Sequence, residues 1–271
     1  MSDILVHTEA GVLTLTLNRV DKKNSLTAAM YAALADALDA AAGDAAVRVV
    51  LIQGDPAIFS AGNDIGDFLR ASAAGPAGDA EGAEGADEAA IALDEPVFRF
   101  LRGLAGFPKP VVAAVCGPAV GIGTTLLLHC DLVYAGDNAA FSMPFVNLGL
   151  CPEAGSSLLV PQMLGHHRAA EALLLGEPFM AEAALEVGLV NRVVPPMEAN
   201  TIAQTQARRL AAKPLAALVE TKRLLKKSNQ AVVLERIEEE ARSFRRLMRG
   251  PAAREAFAAF MDKRKPDFAG L

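Results

Sequence analysis

From Gly11 to Arg19 the chain reads GVLTLTLNR, with Leu13, Leu15 and Leu17 at alternate positions and Thr14 and Thr16 between them. An apolar residue at every second place predicts a strand with one buried and one polar face. The period then lengthens. After KKNSL, the residues Met30, Leu34 and Leu38 recur at helical spacing until Gly43, where a helix is expected to stop. VRVVLIQG, from Val47 to Gly54, has no sustained polar face and predicts a short buried strand. Similar short apolar runs predict strands at Val111 to Val115, Leu132 to Ala135 and Val190 to Val194, separated by helical or loop segments, so the fold class is α/β. From Glu198 onward the pattern is nearly all helical. There Leu234, Ile237, Ala241, Phe244 and Met248 are spaced as an apolar seam that one α/β domain would struggle to cover, and a second copy of the chain is expected to cover it. The organisation expected is a core over 1–197 followed by a helical region over 198–271.

Two segments depart from this alternation. ASAAGPAGDAEGAEGADEAA, Ala71 to Ala90, contains no large apolar side chain, and so it cannot bury enough surface to offset its ordering entropy. It is expected to be a mobile surface insertion within one fold, with Gly75 to Ala86 dispensable for folding. VVAAVCGPAVGIGTTLLLHC, Val111 to Cys130, carries no formal charge and is about the length of a membrane span. Pro118 and the glycines at 117, 121 and 123 break it in the middle, which predicts a buried strand, a glycine-rich turn and a buried helix starting near Ile122.

Composition narrows the function classes. A net charge of −6, no Trp and two Tyr leave neither a basic field for a phosphate backbone nor a stacking platform, so nucleic acid is excluded as a partner. Three cysteines without framework spacing, and an N-terminus lacking a basic and apolar leader, point to a reducing cytoplasm and no membrane.

Two glycine-containing loops could carry chemistry. IFSAGNDIGDFL offers small residues at Ser60, Ala61 and Gly62 that permit close approach to the backbone, while Asp64 and Asp67 read as an N-cap and a first-turn acid. CGPAVGIGTTLLL leads from strand to helix. No Lys follows its glycines, and Leu126 stands where a dinucleotide fingerprint needs its last glycine, so both nucleotide motifs are rejected. A helix N-terminus with unpaired amides still suits an oxygen that develops negative charge. In LGLCPEAGSSLLVPQMLG, Glu153 directly follows a proline; it is either a reactive carboxylate or an acid placed at a helix start. His129 stands beside Cys130 and Asp131 on consecutive positions that do not converge on a metal. Cys151 has no His placed to activate it, and His166 and His167 are expected at the surface.

Taken in order, VLTLTLNRVDKKNSL, FSAGND, KPVVAAVCGPAVGIG, CDLVYAG, FSMPFVNLGLCPEAGSS, ALEVGLVNRVVP and FMDKRKPDF resemble the crotonase, or enoyl-CoA hydratase/isomerase, superfamily over nearly the whole chain. The resemblance implies a spiral of ββα units with a C-terminal helical trimerisation region, a homotrimer or dimer of trimers, and an acyl-CoA thioester as ligand. No separate cofactor and no metal are implied, because coenzyme A is part of the substrate. The implied oxyanion hole is the pair of backbone N–H groups of Asn63 and Ile122. Fixed donors at a thioester oxygen make the α-proton removable, since the enolate charge forms where the dipoles already point. The implied acyl-CoA-binding residues are Lys23, Ser25, Leu26, Ala61, Gly62, Asn63, Asp64, Ile65, Gly121 and Gly123, with Phe260 and Lys263 reaching the CoA of a neighbouring subunit; Lys22 and Lys265 are further candidates for its phosphates.

The chain departs from the hydratase pattern. Where that pattern has its two glutamates, this sequence has Thr125 and Phe145. Glu153 falls instead where the peroxisomal-type Δ3,Δ2-enoyl-CoA isomerases, which this chain is similar to, carry a single catalytic glutamate; the alternatives are an enoyl-CoA hydratase (lyase) of fatty-acid β-oxidation and a non-catalytic acyl-CoA-binding scaffold on the same fold. One base suffices for an isomerase, which takes a proton from C2 and returns it to C4 on the same face of a dienolate. A helix dipole would hold Glu153 ionised and an apolar acyl pocket would oppose this, a balance that the sequence leaves open.

Overall fold

A computed structural model describes residues 2–67 and 95–271. The expected insertion at Ala71 to Ala90 lies outside the described residues. The chain begins with strands β1 (Ile4–Glu9) and β2 (Val12–Leu17), helix α1 (Ala28–Gly43) and strand β3 (Val49–Gln53). Helix α2 (Pro96–Gly106) leads to β4 (Val111–Val115), β5 (Pro118–Val120), the short α3 (Ile122–Thr125), β6 (Leu132–Gly136) and β7 (Ala140–Ser142). Next come α4 (Ser156–Leu164), α5 (His166–Ala170), β8 (Phe179–Met180), α6 (Ala181–Glu186) and β9 (Arg192–Val194). Four helices close the chain: α7 (Pro196–Ala211), α8 (Leu215–Lys226), α9 (Gln230–Met248) and α10 (Pro251–Met261).

The main sheet has the order β1-β2-β3-β4-β6-β9, antiparallel only between β1 and β2. A smaller sheet, β5-β7-β8, stands beside it. This is the α/β class read from the sequence. The expected polar face of β2 is not exposed, however. Leu13, Leu15 and Leu17 face a core shared with Leu34 and Leu38 of α1 and Leu101 of α2, while the opposite face is covered by α7. There Ala203, Ala207 and Ala211 pack on Val12, Val49 and Leu51, and Thr14 donates to Gln204 at 3.4 Å. A parallel sheet needs both faces covered, and alanine at every fourth position lets the helix lie close on it.

The segment Val111 to Cys130 is broken as predicted, into β4, β5, α3 and a 3-10 turn at Leu126–His129. No helix among the described residues is long and apolar enough to cross a membrane. The α9 seam is corrected. Ile237, Ala241 and Phe244 are buried within their own chain, where α9 packs on α2 and α4, so they offer no surface to a second copy. The exposed large apolar residues of the C-terminal region are others, among them Leu225, Phe260 and Met261.

Candidate active site

The first loop is pinned by a buried asparagine and a buried serine. Lys23 and Asn24 take left-handed backbone angles of 53° and 51°, which Asn tolerates better than most residues. Asn24 Nδ2 donates to the carbonyls of Ile58 and Phe59 at 3.2 and 3.1 Å, and its Oδ1 accepts from Arg19 N at 2.8 Å. Ser60 Oγ donates to Asn24 O at 2.9 Å and accepts from Gly62 N at 3.1 Å. Three further backbone bonds, Ala61 N to Lys23 O, Leu26 N to Gly62 O and Asp64 N to Leu26 O, lay segment 23–26 beside segment 61–64. The structure thus brings Lys23, Ser25, Leu26, Ala61, Gly62, Asn63 and Asp64 onto one ribbon.

Asp64 Oδ1 caps the next helical turn by accepting from Asp67 N at 3.1 Å, as its position suggested. Its Oδ2 accepts from Arg19 Nη1 at 2.7 Å. Burial works against the Asp64 charge, but Arg19, the Asp67 amide and Ser25 together outweigh it and hold this carboxyl below its ordinary value. Asp64 is therefore a tie between segments. Ile65, half-buried, packs against the cluster that holds Phe145 and Phe257.

The second loop meets the first at Ser60. Ser60 N donates to Pro118 O at 3.1 Å and Val120 N to Ser60 O at 2.9 Å, a short parallel bridge centred on Ala119. Two glycines make that approach possible. A Cβ on Gly62, whose φ is +88°, would stand 2.9 Å from Val120 O, and one on Gly123 would stand 3.0 Å from Ser60 O. Gly121, with φ 55°, turns the chain into α3 and places the Ile122 amide at the first helical position, where no intrahelical acceptor exists. Among the described residues, neither the Ile122 nor the Asn63 amide donates to a protein acceptor. Tyr31 of α1 donates its hydroxyl to Asn63 Oδ1, fixing that side chain.

Glu153 does not begin a helix. Ala154 and Gly155 both take left-handed angles, 61° and 72°, and delay α4 until Ser156. The anion at that helix start is supplied by Glu240 of α9, whose carboxylate accepts from Gly155 N at 2.6 Å and Ser157 N at 2.9 Å. Glu153 is left for another purpose. It is 5% exposed, and its Oε1 accepts from the Thr125 hydroxyl. Burial pushes its carboxyl up to about 8, helped by the nearby Glu240 charge and resisted by Thr125. Of the two opposing effects read from the sequence, desolvation wins, because the helix terminus already has its own acid. Phe145 is buried close to Gly121 and offers only an apolar ring.

The other sequence candidates fall into place. His129 Nε2 donates to Ala154 O at 2.7 Å, and burial depresses it to about 4, so it is a neutral structural donor. Burial raises the Cys151 thiol to about 11, far from a thiolate nucleophile at neutral pH. His166 and His167 are exposed. Lys22, Lys23, Lys263 and Lys265 are exposed as well. Phe260 and Lys263 sit at the end of α10, and within one chain no hydrogen bond among the described residues ties them to the loop ribbon. Three residues at the site were not foreseen in their roles: Tyr31, Thr125 and Glu240. Glu240 was the most readable, since it lies three residues after Ile237 and four before Phe244, on the inward face of α9.

The chain matches the family model described as enoyl-CoA hydratase/isomerase over residues 7–270. It is 36% identical over 271 residues to the 1,2-epoxyphenylacetyl-CoA isomerase of Escherichia coli K12, covering 100% of this chain and 99% of that one. It is 33% identical over 270 residues to the 2,3-dehydroadipyl-CoA hydratase of the same organism, with 100% of both chains covered. To the enoyl-CoA delta isomerase 2 of Rattus norvegicus it is 38% identical over 243 residues, 89% of this chain and 59% of that protein. Among solved structures, OdaA of Pseudomonas aeruginosa superposes with a TM-score of 0.87 at 49% identity, covering 96% of this chain and 99% of that one. Over its length, its paired glycine loops and its α/β architecture, the chain belongs to the enoyl-CoA hydratase/isomerase family.

Proposed function

We propose that this acyl-CoA enzyme is a Δ3,Δ2-enoyl-CoA isomerase in which Glu153 is the single proton shuttle. The observation that carries this reading is the isolation of Glu153: buried, held by Thr125, and relieved of helix capping by Glu240. The thioester oxygen lies between the amides of Asn63 and Ile122, which receive the charge as the dienolate forms. Glu153 takes the proton from C2 and returns it to C4. A carboxyl with an elevated pKa suits both halves of that task, because it is neither too weak a base nor too reluctant an acid near neutral pH. Hydration would need a second acid or base to handle water. Thr125 and Phe145 supply none, and Glu240 is committed to two amides.

The acyl-CoA lies along Lys23, Ser25, Leu26 and Ala61 to Ile65, with Gly121 and Gly123 beneath the carbonyl. Phe260 and Lys263 of a neighbouring copy complete the CoA site in a trimer or dimer of trimers; a monomer in sedimentation at micromolar concentration would remove that part of the reading. The reaction is tested by separate incubation with 3-enoyl-CoA and 2-enoyl-CoA and identification of products by chromatography and mass. Glu153→Gln is expected to slow isomerisation at least ~10²-fold while leaving affinity for a non-reactive acyl-CoA within ~1 kcal/mol. Near-wild-type turnover by the variant would refute the role of Glu153. Hydration of 2-enoyl-CoA far faster than isomerisation would reassign the protein to the hydratases.

A further inference from the structure

The segment from Ile122 to His129 touches the two residues at 153 and 154 at two points one helical turn apart. Thr125 Oγ1 donates to the Glu153 side chain, and His129 Nε2 donates to the Ala154 carbonyl at 2.7 Å. Both donors are buried. On the other side, Ser156 Oγ donates to Glu153 O at 2.6 Å, and Glu240 takes the Gly155 amide. The backbone around Glu153 is thus fixed through Ala154, Gly155 and Ser156, and among the described residues one hydrogen bond, from Thr125, orients its carboxyl group. That contact involves Oε1 alone. Among the described residues no donor reaches Oε2.

We propose that Thr125 is the positioning residue of Glu153: its hydroxyl occupies Oε1 and presents Oε2 as the one oxygen that carries the proton between the two substrate carbons. The proposal rests on the reading of Glu153 as the base. Threonine suits the task because its hydroxyl has one proton to donate. A bond to the ionised carboxyl also favours the charged form, so Thr125 opposes the desolvation of Glu153. The other titratable groups near Glu153 are Glu240 on α9, Tyr31 on α1, Cys151 just upstream and His129. Among the described residues none of them hydrogen-bonds to the Thr125 side chain, whose hydroxyl goes to Glu153.

The test uses the full-length protein and compares Thr125→Val, Thr125→Ala and Thr125→Ser with the wild type and Glu153→Gln. The readouts are isomerisation of a 3-enoyl-CoA and, by NMR in deuterated solvent, exchange of the C2 protons of the same thioester, each from pH 5.5 to 9.5. Loss of the donor in Thr125→Val is expected to move the ascending limb of the rate profile upward by about one pH unit, hence to slow the reaction roughly tenfold at neutral pH. The loss should fall on kcat rather than KM, and Thr125→Ser should restore both limb and rate. If Thr125→Val does not fold, the Ala and Ser pair is judged by the same two criteria. An unmoved limb, with or without a lower rate, would show that Thr125 only fills space and would overturn the proposal, as would failure of serine to restore the limb. Retained C2 exchange in Glu153→Gln would instead overturn the reading of Glu153, and this proposal with it. An inactive Glu153→Gln beside a Thr125→Val variant with wild-type behaviour would overturn the role of Thr125 alone.

Discussion

Replacing Glu153 by Gln should make the protein more stable at alkaline pH while removing its activity. The carboxyl rises from an ordinary 4.5 to about 8 on folding. Below about 4.5 it is protonated in both the folded and the unfolded chain, and it contributes no pH-dependent term. Between 4.5 and 8 the unfolded chain gives up the proton while the folded one keeps it, so folding becomes less favourable by ~1.4 kcal/mol for each pH unit. Above 8 the full cost, ~4 to 5 kcal/mol, is in place. Glutamine keeps the size and can still accept from Thr125, but its NH2 group is taken from water into a site only 5% exposed, and the cost of desolvating it returns part of the gain. A net stabilisation of ~2 to 4 kcal/mol at pH 9, falling towards zero or below at pH 5, is the expected result. Urea unfolding of both proteins at pH 5, 7 and 9 measures it, and the titrating groups that do not feel the Glu153 charge cancel in the difference. A stability difference that does not vary with pH would mean that Glu153 keeps an ordinary carboxyl in the folded protein. The account of its burial would then be wrong.

Glu240→Ala should cost ~1 to 3 kcal/mol in chemical denaturation, because it strips the Gly155 and Ser157 amides of their acceptor, and it should lower the ascending limb of the pH–rate profile by removing a neighbouring negative charge. An unchanged denaturation midpoint would show that water replaces the carboxylate without loss. Gly62→Ala places a methyl 2.9 Å from Val120 O at a backbone angle of +88°, so the two loops must part. Turnover should drop by ~10²-fold or more with a smaller change in melting temperature, and near-wild-type kinetics would mean that the Asn63 amide is not a reaction donor.

What the sequence made legible followed from local rules. Val111 to Val115 appears with the predicted ends, a run of five small or branched apolar residues between Pro110 and Cys116 that is buried at every position. β9 is shorter than predicted: Val190 belongs to the turn out of α6, where its amide donates to Ala184 O at 3.2 Å. Gly62 was readable as a place for close approach, though not what approaches it, since the neighbour is Val120 of the opposite loop. Glu153 shows the limit most clearly. A proline followed by an acid resembles a helix start, and only Ala154 in a left-handed conformation, followed by Gly155, postpones the helix. The acid that does cap α4 lies 85 residues further on, in a run of glutamates where one faces inward. The spacing from Ile237 and Phe244 marks Glu240 as inward-facing, but nothing local names its partner at that separation.

The two halves of the proposed chemistry share one footing, α3, and differ in a second. The amides of Asn63 and Ile122 belong to loops leaving the carboxyl ends of β3 and β4, tied to each other at Ser60 and Ala119. Glu153 answers in addition to α9, which reaches its segment through Glu240. The base is thus tied from two sides, through Thr125 to α3, which carries the Ile122 amide, and through Glu240 to α9. A substitution on the inward face of α9 is therefore felt at Glu153 through the Gly155 and Ser157 amides, while Thr125 keeps that carboxyl attached to the element that begins at Ile122.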